Sequence, residues 1–168
     1  MVEIRRLGSR EDAEKYRKVR LESLKNSPES FASSYEEEKD FSVDEFLTQI
    51  QLNDSFTYGA FAEEELVGII TLYKDELNKL SHRAHIGAMY VSPAKRSLGL
   101  GKLLMEAAIK KAKEIEGVEQ VYLAVVSTNE AAKRLYSSLG FEMFGSEKKG
   151  LKLANNLYYD VDFMILYL

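Results

Sequence analysis

The chain has 168 residues, 45% of them hydrophobic and 30% charged, with a formal net charge of −4 and no cysteine. The acidic balance argues against a general nucleic-acid binder, which needs a basic face. The missing cysteine excludes disulfides and thiolate nucleophiles, and two histidines, His82 and His85, are too few for a histidine-rich metal site. The length suits one domain with its own core, expected over residues 1–168. The start MVEIRRLGSRED carries no apolar secretory segment, and no apolar run is long enough to cross a bilayer, so the expected setting is cytoplasmic.

"VEIRRL" reads as a strand. "SREDAEKYRKVRLESLKNSP" reads as a helix, with Ser9 as its cap, Asp12 in the capping-box position and Pro28 beyond its end. "SFASSYEEEKDFS" is polar and irregular, and "VDEFLTQIQL" is a second helix. "FTYGAFAEEELVGIITLYKD" predicts two strands joined by an acidic turn at Glu63 to Glu65, and "RAHIGAMYVSP" a further strand. The next helix carries one apolar stripe of Leu103, Leu104, Ala107, Ala108, Ala112 and Ile115. "VEQVYLAVVS" is nearly all apolar, the pattern of a strand buried on both faces. "TNEAAKRLYSSLG" is a short helix closed by Gly140, and "FEMFGSEKK" and "LYYDVDFMILYL" are terminal strands. The order predicts a mixed α/β sheet with helices on its faces and a β-α-β unit near residue 100.

That unit contains "RSLGLGK", Arg96 to Lys102. A Walker A loop is excluded, because Arg96 stands where it needs a glycine and Leu103 where it needs Ser or Thr. A dinucleotide fingerprint is excluded because Leu104 replaces its third glycine. What remains still suits an anion. Gly99 and Gly101 let it approach backbone N–H groups. The helix start adds free donors and partial positive charge, and Arg96, Lys102 and the Ser97 hydroxyl add donors of their own. Lys102 opposes the helix dipole, a local rule broken where a function would break it. A plain basic turn fits the six residues equally well. A second constellation bears on that choice: Asn129 and Tyr136 lie seven apart on one helix face. Their helix follows the strand parallel to the one before the turn, so both groups should meet at one sheet edge, the usual ligand edge of open α/β sheets. Taken singly, Asn129 reads as a helix cap and Tyr136 as a half-buried tyrosine.

"MYVSPAKRSLGLGKLLMEAA", "TNEAAKRLYSSLGF" and "YYDVDFMILYL" together resemble the strand, pyrophosphate loop, asparagine-to-tyrosine segment and closing strand of the GNAT superfamily of acyl-CoA-dependent N-acyltransferases. The first 60 or so residues match in pattern only. The resemblance implies a mostly antiparallel sheet of six to seven strands with a central splayed parallel pair and flanking helices. It implies acetyl-CoA as donor. Met89, Tyr90 and Val91 would pair through their backbone with the pantetheine arm, and the parallel strands would splay after Val91 and Val126. Arg96, Ser97, Leu98, Gly99, Leu100, Gly101 and Lys102 would hold the pyrophosphate. Asn129 would bond the pantetheine arm, and Tyr136 would sit beside the thioester sulfur.

The reaction so implied, attack of an amine on a thioester, sets the remaining expectations. The amine must lose a proton, the oxyanion needs a donor such as a backbone N–H near Met89, and the leaving thiolate gains from a proton. Tyr136 is the expected general acid, since a phenol of pKa about 10 keeps its proton at neutral pH. His85, four residues before Met89 on the same strand, is expected to share its face in an unbroken strand and to serve as base where the family often has a carboxylate. A satisfied sheet histidine is the competing account, and Glu22, the acidic loop and Asp162 are the other candidates. Glu36, Glu37, Glu38 and Asp40 are expected either to draw a cationic amine or to be a solvated loop. Acetyl-CoA and an amine are the expected partners, and the terminal strands offer an edge for a homodimer. A non-catalytic acyl-CoA sensor of the same fold and a nucleotide phosphate binder are the competing functions.

Overall fold

The computed structural model describes residues 1–168. Strand β1 (Val2–Arg6) leads into α1 (Arg10–Asn26), then α2 (Tyr35–Glu38) and α3 (Val43–Ile50). β2 (Ser55–Ala62), β3 (Glu65–Lys74) and β4 (Arg83–Val91) follow. α4 (Leu100–Glu114), β5 (Gln120–Val126), α5 (Glu130–Ser138), β6 (Glu142–Leu153) and β7 (Leu157–Tyr167) complete the chain. The strands form one sheet in the order β1-β2-β3-β4-β5-β7-β6, antiparallel except for the central β4–β5 pair.

Each face of the sheet carries its own core. On one face α4 lays Leu100, Leu104, Met105, Ala108 and Ala112 against Ile70, Leu72, Ile86, Val121 and Leu123, joined by Tyr136 of α5. Leu100 opens the helix and sets the phase of this stripe. Met105 therefore turns inward, and Leu103, expected inside, is 41% exposed. On the other face α1 and α3 bury Tyr16, Val19, Leu24, Phe46 and Ile50 against Phe61, Leu66, Ile69 and Tyr90. Each such side chain contributes about 1.5–3 kcal/mol on burial. α1 and α3 pack on the β2 and β3 side, and the turn Pro28–Ser30 reaches across to β5 and β6. β5 is consequently buried on both faces only at its end: Val121, Leu123 and Val125 are inside on the α4 face, and on the other face Val126 is buried while Ala124 is exposed.

Two local features were missed by the pattern of apolar residues. Residues 35–38 form a one-turn helix, capped by Ser34 and Glu37 in a reciprocal box. The S-x-x-E spacing that predicts it recurs at Ser42 and Glu45, the cap of α3. β6 runs on to Leu153, beyond the expected "FEMFGSEKK", through an irregularity between Glu147 and Leu151 that carries Lys148, Lys149 and Gly150. Bulges and lysines on an edge strand discourage pairing with a second sheet.

The start of α1 is as expected, with more behind it. Asp12 closes the box with Ser9 and also accepts from Gly8 N–H at 2.9 Å and from the two terminal guanidinium nitrogens of Arg5, at 2.7 and 3.1 Å. Burial opposes its ionisation, but the Arg5 and backbone donors outweigh burial and hold the carboxyl far below the usual range. A depressed folded pKa means that this stability is full above the unfolded carboxylate value near about 4 and is lost as pH falls below it. Asp12→Ala should lower stability by about 2–3 kcal/mol at pH 7, or roughly 5–10 °C in Tm. The gap from wild type should narrow at pH 3. Thermal denaturation at both pH values checks this, and an equal gap at both would refute the linkage.

Candidate active site

The parallel pair sets the site. β4 and β5 pair only at Arg83–Gln120, Ala84–Val121 and His85–Tyr122. The separation begins there, well before Val91 and Val126, so Ile86 to Val91 face an opening instead of a strand. A register shift within the opening changes what β4 presents. Ile69 of β3 lies opposite Tyr90 and Thr71 opposite Gly87, so β4 carries one extra residue between them. Ala88 sits in that stretch at φ 54°, a conformation uncommon for any residue with a Cβ. Before the shift Ala84 and Ile86 belong to the α4 core. After it Met89 and Val91 do, while Tyr90 turns to the α1 core.

The shift corrects one expectation. His85 and Met89 would share a face in an unbroken strand, and here they lie on opposite faces. His85 is on the α1 side, stacked between Tyr73 and Tyr122 at ring-centroid distances of 5.0 and 5.5 Å, with Nε2 2.8 Å from Asp75 Oδ2. Met89 points to the α4 side and reaches the glycine turn: a Cβ on Gly101 would lie 3.2 Å from Met89 Cε and 3.5 Å from Leu135 Cδ2. β4, the start of α4 and α5 therefore converge, as the spacing of the two constellations predicts.

The turn leaves its donors free. α1, α2 and α3 begin with a serine capping box and α5 with Asn129, whereas α4 begins at Gly99 with no side-chain cap and no acidic residue in its first turn. Its first helical bond is Leu103 N–H to Gly99 O, so the N–H groups of Leu100, Gly101 and Lys102 precede any intrahelical partner. Gly99 at φ 75° and Ser97 at φ 67° both turn left-handed to bring them round. Ser97, Leu98 and Lys102 are exposed. Lys102 lies 3.8 Å from Glu106, and Arg96 is drawn back to β4, its Nε donating to Val91 O at 3.0 Å.

Asn129 fills the cap role, its Oδ1 accepting from Ala132 N–H at 3.2 Å, and its amide NH2 donates to no protein group. Tyr136 lies seven residues on, its ring buried and 6.2 Å from that of Phe141. Burial pushes the phenol up to about 12. The hydroxyl makes no hydrogen bond within the protein, yet the only fully buried side-chain polar atom lacking a hydrogen bond is Arg83 Nε. The Tyr136 oxygen is therefore reachable from outside.

The alternative bases are largely occupied. Asp162 is held by Lys133, Ser127 and Ser146, and the Lys133 ammonium beside it keeps the carboxyl below its ordinary value. Glu22 accepts from Ser92 Oγ at 3.0 Å and lines a cavity of about 800 Å³ between α1 and the end of β4. In the acidic segment Glu36 pairs with Lys39, Glu37 caps α2, and Glu38 forms a buried two-point pair with Arg20. Three of its four carboxylates thus serve the fold. A second cavity, of about 200 Å³, opens on the α1 side against the register shift, lined among others by Tyr16, Arg20, Thr71, Tyr73, Gly87 and Ala88. Periodicity had no means of finding it, since its walls come from five elements.

The pattern of the acetyltransferase (GNAT) family matches residues 21–141, well over half of the chain. The chain belongs to the GNAT family. Over 85 residues, 51% of its length, this GNAT chain is 34% identical to an N-alpha-acetyltransferase of Sulfurisphaera tokodaii; the match spans 47% of that protein, about half of its length. Among solved structures, a GNAT-family acetyltransferase from Streptococcus pneumoniae is 22% identical with a TM-score of 0.89, covering 100% of both chains. A Salmonella typhimurium protein solved with its cofactor acetyl-CoA is 19% identical with a TM-score of 0.86, covering 100% of this chain and 94% of that one. At these identities the two structures establish a shared GNAT fold. No helix of the chain is long and apolar enough to cross a membrane.

Proposed function

We propose that this GNAT chain transfers an acetyl group from acetyl-CoA to a primary amine by direct attack. The observation that carries the reading is α4, the one main helix without a side-chain cap, opening beside the splayed β4–β5 pair. The fit to the donor is physical. The free N–H groups of Leu100, Gly101 and Lys102 suit a pyrophosphate, with Arg96, Ser97 and Lys102 adding charge and a hydroxyl. The edge of β4 from Met89 to Val91 has no strand partner on its β5 side, where only the Val91 carbonyl is engaged, by Arg96 Nε, and it suits the amides of a pantetheine arm. The Asn129 NH2 is available to the same arm.

In the reaction the amine nitrogen bonds to the thioester carbon and the carbon–sulfur bond breaks. The amine proton passes to a base, and we assign His85, acting through one water. A backbone N–H near Met89 faces the oxyanion. The departing sulfur takes a hydrogen bond, and finally a proton, from Tyr136. The Sulfurisphaera relative makes an α-amino group the acceptor to test first. Its ordinary pKa near about 8 also makes deprotonation easier than for a lysine amine near about 10.4. The test measures thiol release from acetyl-CoA with peptides bearing a free α-amine, matched peptides with only an ε-amine, amino acids and small polyamines. We expect release that depends on the α-amine. Tight acetyl-CoA binding with no release above the acceptor-free rate would refute the enzyme and leave a binding domain.

A further inference from the structure

We propose that Asp75 is a positioning residue that fixes His85 as a proton acceptor through Nδ1; this rests on the assignment of His85 as base. Asp75 follows β3 and is tied to β4 at two points. Its N–H donates to Arg83 O at 3.1 Å, and its Oδ2 lies 3.2 Å from Arg83 Nε and 2.8 Å from His85 Nε2. A carboxylate can only accept, so in the neutral imidazole Nε2 carries the hydrogen and Nδ1 carries the lone pair. Nδ1 makes no hydrogen bond within the protein. It is not sealed away, because the His85 side chain is 20% exposed and Arg83 Nε is the only fully buried side-chain polar atom without a hydrogen bond.

The ring is fixed as well as the tautomer. Tyr73 from β3 stacks on one side at 14° between planes and Tyr122 from β5 on the other at 28°. The Tyr122 hydroxyl is engaged by Gln120, and the Arg83 guanidinium lies 4.5 Å from the Tyr122 ring centre. Tyr73, Asp75, Arg83 and Tyr122 are thus the titratable or charged groups around the imidazole. Gly87, two residues along β4 and about 6–7 Å away by strand rise, lines the small α1-side cavity together with Ala88 and Tyr73. An amine held in that cavity would be within reach of the imidazole through a bridging water, the arrangement general-base catalysis through water uses. A histidine that only stapled β3 to β4 would need Asp75 but would have no use for a second ring nitrogen left without a protein partner.

Two measurements on the full chain test this. Nitrogen-15 spectra of the wild-type protein at neutral pH should show His85 protonated at Nε2 and bare at Nδ1; the opposite tautomer would overturn the proposal. In kinetics, Asp75→Asn should lower kcat/KM by about tenfold or more, with little change in the acetyl-CoA KM. In the His85→Gln background the same substitution should cost nothing further. A slow His85→Gln with an undiminished Asp75→Asn cost on top would end the role of Asp75 and leave His85 as base. Wild-type rate in His85→Gln would end both assignments. Thermal melts accompany each variant, and if Asp75→Asn does not fold, the wild-type tautomer decides alone.

Discussion

Tyr136→Phe should lower kcat by about a hundredfold or more, the usual worth of a positioned proton donor. The substitution is clean because the hydroxyl makes no hydrogen bond within the protein, so its loss strands no partner. The ring keeps its place against Phe141 and the α4 core, and Tm should not change. Burial lifts the phenol to about 12, which keeps it protonated across the neutral range. That elevation has a cost in driving force. An ordinary thiol sits at about 8.5, so full transfer to the thiolate is uphill by a few units, and the phenol acts first as a hydrogen-bond donor to the sulfur as its charge develops. The benefit of the phenol therefore falls in the transition state, and kcat should drop with little change in the KM for acetyl-CoA. The measurement needs an acceptor for which chemistry limits turnover. Unchanged kcat there would remove Tyr136 from the proton path.

Gly101→Glu should weaken acetyl-CoA binding by at least about a hundredfold, since a carboxylate set against a pyrophosphate costs several kcal/mol. The fold should tolerate the change. The new Cβ meets the flexible end of Met89 at 3.2 Å, which must give by a few tenths of an ångström, and an acidic residue in a helix's first turn favours the dipole. Loss of binding would then report charge and close approach at the turn instead of unfolding. Calorimetry decides it: wild-type affinity in a folded variant would exclude this turn as the pyrophosphate site.

The parts legible in the sequence were those with local causes. The Ser9–Asp12 box, the strand pair around Glu63, the glycine turn and the Asn129–Tyr136 spacing all follow from residues close together in the chain, and each stands where it was expected. The parts that were not legible depend on partners distant in sequence. Leu103 and Met105 exchange roles because Leu100, not periodicity alone, sets the phase of α4. Ala124 is exposed because α1 and α3 stop short of β5, which an apolar run cannot reveal. Asp75 gave no signal, since its meaning comes from His85 ten residues away. The extra residue near Ala88 was equally hidden, because no glycine marks the left-handed position.

That extra residue makes β4 a crossing point between two compartments. Without it Tyr90 would swing into the apolar layer under Leu104, stranding the hydroxyl that now accepts from Asn26 at 3.3 Å, and Met89 would leave the glycine turn. With it, one short run of backbone addresses both sides of the sheet: His85 and Gly87 look toward α1, and Met89 and Val91 toward α4. A donor lodged beside the α4 turn and an acceptor arriving from the α1 side would then meet at the opening beside β4, each by its own doorway.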